Sequence, residues 1–181
     1  MAEGNSWKTR QWVHRHYHDE PRKFLKRELK EEPQFKFDDL YTPPFTKKKR
    51  YDEDGRWQYV AITKNPSPTG IRVMDEYLAQ LASGNFDIVG FATGLGLKSD
   101  EINALVLILT GIKGYRFRQL YQLRVADDLL RYTDLPPAEV ARRSGHGSPN
   151  NFYLALRREY NMSATERRRF LRRDGDLGRF A

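Results

Sequence analysis

Residues 134–171 constrain the fold most, because two helix-length stretches flank one tight turn there. Pro136 and the proline after it suit the first turn of a helix, and Gly145 can end that helix with a left-handed backbone. Ser148 followed by Pro149 is typical of an N-cap and the first turn of a second helix. An arginine-rich tail follows. This layout predicts a helix-turn-helix, which favours DNA as a partner.

The positive charge is concentrated in the same region. Residues 111–173 hold 14 Lys+Arg against 6 Asp+Glu, whereas residues 1–110 hold 17 against 16. Thirteen of those 14 bases are arginine, whose planar guanidinium suits phosphate and the guanine edge better than an ammonium does. The alternative is a solvated basic surface. Because the charge coincides with the motif, we favour nucleic-acid binding.

The first 69 residues differ from the rest of the chain. They contain six of the prolines, 11 of the 23 aromatic residues and all three tryptophans. Such aromatic density predicts an arm that packs on the later domain or on a partner. A charged helix is expected over 22–31 and a strand over 56–63. We therefore expect an arm over 1–68, a helical domain over 69–173 and a tail over 174–181.

From residue 69 onward the apolar residues recur with helical spacing, and capping residues and glycines separate the helices. We expect Ser99 to cap one of them. The pattern predicts helices over about 71–83, 87–93, 99–110 and 115–132, and two more within 136–160. One unit thus occurs twice: a short helix, a glycine-containing turn and a longer helix. A helix of about 18 residues, roughly 27 Å long, joins the two units. Successive major-groove faces lie about 34 Å apart, so both units can meet one duplex.

A set of residues keeps a spacing found in one family of bacterial regulators. They are Val140-Ala141, Gly145-His146, Phe152, Leu156-Arg157, Asn161, Ser163-Ala164 and Arg168. Over about residues 69–171 the chain resembles the DNA-binding domain of the AraC/XylS family. His146, Asn161 and Ala164 depart from the usual Phe, Gly and Pro. The resemblance implies an all-α fold: a seven-helix bundle with two helix-turn-helix subdomains joined by a long helix. A largely irregular N-terminal arm precedes it.

The second unit holds the expected site residues. Phe152, Leu156 and Tyr160 keep the spacing of a core-facing stripe. The resemblance implies base contacts from the opposite face, at Pro149, Asn150, Tyr153 and Leu154. Asn150 can pair with adenine, or it can be a plain polar residue at a helix start. The expected phosphate contacts, of which about half should touch DNA, are Arg142, Arg143, Ser148, Arg157, Arg158, Arg167, Arg168 and Arg169.

The first unit is a poorer reader of DNA. Its second helix, Ser99–Thr110, has no Lys or Arg and is mostly aliphatic. We therefore expect it to touch the DNA backbone lightly or to face a protein. The 68 residues that precede the domain are too few for the sensor barrel of this family. The resemblance is thus to its short members.

Several functions remain open at this point. The leading expectation is a soluble, nucleoid-associated cytoplasmic regulator from a bacterium, a monomer on an asymmetric site. It would contact RNA polymerase or another protein through Ser99–Thr110 and residues 1–68. An alternative is a structural or interaction subunit of a phage, mobile-element or nucleoprotein assembly. A third is RNA or single-strand binding, with unpaired bases stacking on Trp7, Trp12, Tyr17 and Phe24.

Enzyme, cofactor, metal and membrane functions find no support in the sequence. The chain has no cysteine, no phosphate-binding loop and no nucleophile elbow. His14, His16 and His18 alternate as in a three-histidine zinc site, but a solvated basic arm is the favoured interpretation. The Lys47–Arg50 run resembles a nuclear-import signal or a DNA-backbone patch, but its acidic neighbours largely cancel its charge. No run is long and apolar enough to span a bilayer.

Overall fold

The computed structural model describes residues 32–61 and 68–173 of the chain, and helices dominate it. The elements in chain order are α1 (Phe37–Leu40), β1 (Lys47–Tyr51), β2 (Trp57–Ala61), α2 (Arg72–Ala82), α3 (Ile88–Gly94), α4 (Ser99–Thr110), α5 (Gly114–Tyr132), α6 (Pro137–Arg143), α7 (Pro149–Tyr160) and α8 (Ala164–Leu171). The helix expected over 22–31 and the histidines 14, 16 and 18 lie outside the described residues.

The predicted bundle is confirmed. Helices α3 and α4 form the first unit, α6 and α7 form the second, and the long helix α5 joins them. Both faces of α5 are apolar, so it packs against α4 on one side and against α6 and α8 on others. Side chains that are fully buried between these helices include Met74, Ile102, Val106, Phe117, Tyr121, Leu130, Val140, Phe152 and Leu156.

Helix ends follow the local capping chemistry. The Ser148 side chain accepts a hydrogen bond from the backbone N–H of Asn151, as expected for the α7 cap. Helix α4 begins at Ser99, but its N-cap residue is Lys98 rather than Ser99. The Lys98 backbone N–H donates to the Glu101 carboxylate there. Ser163 caps α8, so the stretch that the sequence suggested was an arginine-rich tail is a helix.

Part of the arm belongs to the core of the helical domain. We call residues 35–45 the strap, because they run along α5. The strap begins beside the end of α4, where the Phe35 backbone N–H donates to the Leu109 carbonyl oxygen at 3.1 Å. The Phe37 ring then meets the Phe117 ring edge-on, with centroids 5.3 Å apart.

The strap continues along α5 toward its C-terminal end. The centroids of the Tyr41 and Tyr121 rings lie 5.0 Å apart. The Tyr41 hydroxyl donates a hydrogen bond to the Asp128 carboxylate at 2.6 Å. Burial raises the pKa of both Tyr41 and Asp128. The Phe45 ring meets the Tyr132 ring at the last turn of α5. The expected aromatic packing of the arm on the later domain is thus observed for these residues.

A β-hairpin follows the strap. Strand β2 lies within the predicted strand, and it pairs antiparallel with β1, from Lys47 opposite Ala61 to Tyr51 opposite Trp57. Strand β1 is not predictable from its own residues, since four of its five residues are bases with weak strand propensity. Acidic residues 52–54 form the turn, in which Asp52 accepts the backbone N–H groups of Asp54 and Arg56.

The turn of the second unit depends on a glycine. Gly145 has φ +76°, and a Cβ atom there would lie 2.0 Å from the Phe86 ring. The Gln122 side-chain amide donates to the Gly145 carbonyl oxygen at 2.7 Å. The turn is therefore pressed between α5 and the loop that precedes α3, with no space for a side chain.

His146 fills the position where the family usually has phenylalanine. Its ring packs against the Phe152 ring with centroids 5.0 Å apart, and Nδ1 lies 2.8 Å from the Ser144 hydroxyl. Burial lowers the pKa of His146 to about 4. The imidazole is therefore neutral at pH 7, and its half-buried ring packs beside Phe152 as a phenylalanine would.

We predict that Gly145→Ala destabilises the domain more than Gly147→Ala does. Both residues have left-handed backbones, which cost an alanine roughly 1–2 kcal/mol. Only Gly145 faces a close neighbour, so overpacking against Phe86 should add about 1–3 kcal/mol. Urea denaturation of both variants measures this difference in unfolding free energy. Equal losses would contradict the packing argument.

We also predict that His146 makes the domain acid-sensitive. The unfolded histidine takes up a proton near pH 6.5, whereas the folded one resists protonation down to about 4. Stability should therefore fall as the pH drops through this window, by up to roughly 3 kcal/mol. His146→Phe should remove that component. Urea midpoints at pH 7 and pH 4.5 for both proteins test it, and parallel pH profiles would refute it.

Candidate nucleic-acid interface

Helix α7 presents two distinct faces, as its sequence predicts. Phe152 and Leu156 are buried in the core, with 2% and 0% of their surface exposed. Tyr153 and Leu154 are 46% and 49% exposed, although both are large and apolar in character. Asn150 is exposed too. The helix thus places polar and apolar groups together on its solvent side, where base-edge recognition needs them.

A buried ion pair fixes the far end of α7. Asp127 of α5 accepts two hydrogen bonds from the Arg167 guanidinium, at 2.9 and 2.6 Å. Its carboxylate also accepts the Tyr160 hydroxyl at 3.0 Å. The guanidinium stacks 3.6 Å above the Tyr160 ring, and the two charged side chains are only 13% and 11% exposed. This network joins α5, α7 and α8.

Arg168 and Arg172 hold the end of α5. Arg168 donates to the carbonyl oxygens of Leu130 and Leu135, and burial lowers its pKa. Arg172 donates to the carbonyl oxygens of Leu130 and Arg131, at 3.2 and 2.9 Å. Helix C-termini leave carbonyl groups without partners, and these guanidinium groups satisfy them. The sequence predicts phosphate contacts for Arg167 and Arg168; in the structure both side chains bind groups within the domain.

Arg142 and Arg143 lie at the surface and share one partner. Both donate to the carboxylate of Glu139, at 2.7 to 2.9 Å from Arg142 and 2.5 Å from Arg143. These hydrogen bonds lower the pKa of Glu139 to about 2. The two arginine side chains stay 70% and 50% exposed, so each can still turn toward an anion.

Arg157 lies beside the exposed tyrosine of α7. Its Nε donates to the Tyr153 hydroxyl at 3.1 Å, and one terminal nitrogen donates to the Asn161 carbonyl oxygen. Asn161 has a left-handed backbone, with φ 54°, which an asparagine tolerates where the family has glycine. The phenol of Tyr153 is thus held in one orientation by its neighbour. Arg158 and Arg169 are exposed.

An open groove of about 290 Å³ lies between α5 and α7. Arg158, Gln122, His146 and Leu154 line part of it. Arg116 closes one side through a bidentate pair with Glu159, at 2.8 and 2.6 Å, which lowers the pKa of Glu159. Sequence spacing had not singled out Arg116, because the two partners are 43 residues apart.

The first unit exposes an apolar surface. Ile108 of α4 and Val89 of α3 are 63% and 62% exposed. The N-terminal turn of α4 carries Asp100 and Glu101, and the helix contains no base. Helix α4 therefore offers no basic side chain of its own to a phosphate.

The described residues contain neither a metal-binding cluster nor a membrane-spanning helix. No group of three or more His, Asp or Glu side chains within 32–61 and 68–173 could hold a metal ion. In the same part of the chain, no helix combines the length and apolarity needed to cross a membrane.

Comparison with known proteins agrees with this geometry. Residues 91–169 match a protein family described as "Helix-turn-helix domain". A similar solved structure is the DNA-binding domain of AdpA, "the global transcriptional factor, in complex with a target DNA". The two share 22% identity and a TM-score of 0.51, over 59% of this chain and 97% of that one. No curated protein sequence matches the chain.

A second similar structure is that of the xylose-binding transcription activator xylR, at 14% identity and a TM-score of 0.48. It covers 64% of this chain and 31% of that chain. The family match begins within α3 of the first unit and ends within α8, so it contains the whole second unit. The matched family is not one of enzymes. Over residues 91–169 this chain therefore carries a helix-turn-helix domain, which agrees with the resemblance deduced from its sequence.

Proposed function

We propose that this chain binds specific sites in double-stranded DNA through α7 and thereby regulates transcription. One observation carries the proposal. The second helix of a helix-turn-helix exposes Tyr153 and Leu154 on its outer face, within the most basic part of the chain. Exposed apolar side chains in such a setting suit thymine methyl groups. The DNA-bound domain of similar fold supports duplex DNA as the partner.

The base contacts of the proposal are Pro149, Asn150, Tyr153 and Leu154. The Asn150 amide can both donate to and accept from an adenine edge. Tyr153 enters the groove preoriented, because Arg157 binds its hydroxyl. Ser148 keeps its capping bond and lies where a phosphate oxygen can approach the helix N-terminus.

The phosphate contacts of the proposal come from the exposed arginines. These exposed residues, which can reach a DNA backbone, are Arg142, Arg143, Arg157, Arg158 and Arg169. The other two candidates have different surroundings. Arg167 is engaged by Asp127, and Arg168 by carbonyl oxygens of the chain. We assign to these two the positioning of α7 and α8 rather than phosphate binding.

A DNA-bound monomer would regulate transcription by recruiting RNA polymerase or by excluding it. Helix α4 lacks bases and exposes Ile108, which favours a protein partner for the first unit over DNA. RNA polymerase is the partner that a transcription regulator would contact there or through residues 1–68.

The same apolar surface supports a second candidate function. A subunit of a phage, mobile-element or nucleoprotein assembly would use Ile108 and Val89 to bind another protein. Affinity purification of the tagged chain after nuclease treatment tests this function. A stoichiometric protein complex that survives, together with no selected DNA site, would favour it over regulation.

We predict that substitutions of the proposed base contacts and of the proposed phosphate contacts change DNA binding in different ways. Selection from a random duplex pool should give a motif for the unaltered chain. Tyr153→Ala and Leu154→Ala should each cost about 1–3 kcal/mol at one position of that motif and relax its sequence preference. Arg158→Ala should weaken binding to all duplexes alike and lower the salt slope by about one. Fluorescence anisotropy over a salt series measures both, and failure to select any motif would contradict sequence-specific binding.

We predict that Arg167→Ala acts on folding. It leaves the Asp127 carboxylate buried without its charged partner, which should cost roughly 3 kcal/mol of unfolding free energy. Exposed Arg169 provides the matched variant, since Arg169→Ala should leave stability nearly unchanged. Urea denaturation and the salt slope of DNA binding are measured for both. A stable Arg167→Ala protein with a reduced slope would return Arg167 to the phosphate contacts.

A further inference from the structure

The β1–β2 hairpin extends from the helical domain with little cover. Every residue of β2 is exposed except Val60, which is half-buried. The strands contact chiefly each other. Trp57 and Tyr59 are 52% and 46% exposed. A two-stranded hairpin is only marginally stable in water, so exposed aromatic rings on one indicate a surface that a partner covers.

One face of this hairpin combines bases with aromatic rings. Directly paired residues point to the same side of a sheet, so Lys47, Lys49, Trp57 and Tyr59 share a face. The Lys49 ammonium lies 4.0 Å from the centre of the Trp57 ring and 5.7 Å from that of Tyr59. The two rings meet edge-on at 5.3 Å. The rings therefore hold the cation in place without neutralising it.

Acidic groups are confined to the turn of the hairpin. Residues 47–50 are four consecutive bases, and neither strand contains Asp or Glu. Asp52 uses its carboxylate to fix the turn. The face that carries Lys47 and Lys49 is thus complementary to a polyanion that approaches this face and keeps clear of the turn.

The strap determines where the hairpin leaves the domain. Helix α5 has 19 residues and is about 28 Å long. Phe45 packs on Tyr132, in the last turn of α5, and β1 begins two residues later. The hairpin therefore starts at the end of α5 from which the second unit follows. Strands of five residues reach about 17 Å from that point.

We propose that this hairpin is a second DNA contact, which binds the sugar–phosphate backbone of the duplex beside the site of α7. Lys47 and Lys49 pair with phosphates, and Trp57 and Tyr59 pack against deoxyribose. The contact adds affinity without reading sequence. It rests on the proposed function, and it supplies cations to a domain whose first unit offers none on α4.

The test uses the full chain and its selected duplex. Lys47→Ala/Lys49→Ala should lower the salt slope by about two and weaken binding roughly tenfold or more at physiological salt. Trp57→Ala should weaken binding while leaving the slope nearly unchanged. None of these variants should alter the selected motif, and each should shorten the protected footprint on one flank.

Two controls separate the proposal from general effects. Gln58→Ala changes the opposite face of the same strand and should bind like the unaltered chain. Lys98→Ala/Lys113→Ala removes two charges that flank α4, and it should leave the slope nearly unchanged. Circular dichroism and urea midpoints verify that each variant is folded.

Three outcomes would overturn the hairpin contact. If the Lys47→Ala/Lys49→Ala protein keeps its affinity and salt slope while the unaltered chain binds its site, the hairpin contact is overturned and the proposed function is not. If the hairpin variants lose binding to single strands and keep their binding to the duplex, the backbone contact is overturned in favour of stacking of unpaired bases on the hairpin. An unaltered chain that binds no duplex would overturn the proposed function as well.

Discussion

The geometry of the second unit depends on the hydrogen bonds that the buried carboxylate of Asp127 accepts. It lies on the joining helix and binds a tyrosine from the end of α7 and an arginine from α8. Removing charges from water is costly, and the multiple hydrogen bonds with ring stacking offset that cost. Because the Tyr160 contact is directional, the network fixes the rotation of α7 about its own axis. That rotation decides whether Tyr153 and Leu154 face outward.

The arginines of the second unit and of α8 serve two different purposes. Arg167, Arg168 and Arg172 bind groups of the chain itself, and satisfy a carboxylate and the carbonyl oxygens at the end of α5. Others remain exposed and can meet phosphate. The excess charge of the region therefore overstates the number of free cations. A planar guanidinium can serve either purpose, since carbonyl oxygens, carboxylates and phosphates all accept its hydrogen bonds.

Local signals made most of the fold predictable from sequence. Gly145, Ser148 and Asn161 each determine a backbone conformation within a few residues, and the structure has all three as expected. Burial of Phe152 and Leu156 followed from helical spacing. Long-range pairs were not predictable: the Arg167–Asp127 bond joins residues 40 apart, and the strap joins residues 87 apart at Tyr41 and Asp128. Strand β1 was missed because pairing partners, not its own residues, make it a strand.

The strap also imposes an order on folding. During synthesis its aromatic residues leave the ribosome well before α5 exists, because Tyr41 precedes Asp128 by 87 residues. The helical hairpins of each unit can close locally and fast, whereas this contact must wait for a long loop to close. Phe37, Tyr41 and Phe45 are therefore exposed on the nascent chain for that interval. A chaperone that binds apolar segments would find a site there, in a region that the folded protein largely buries.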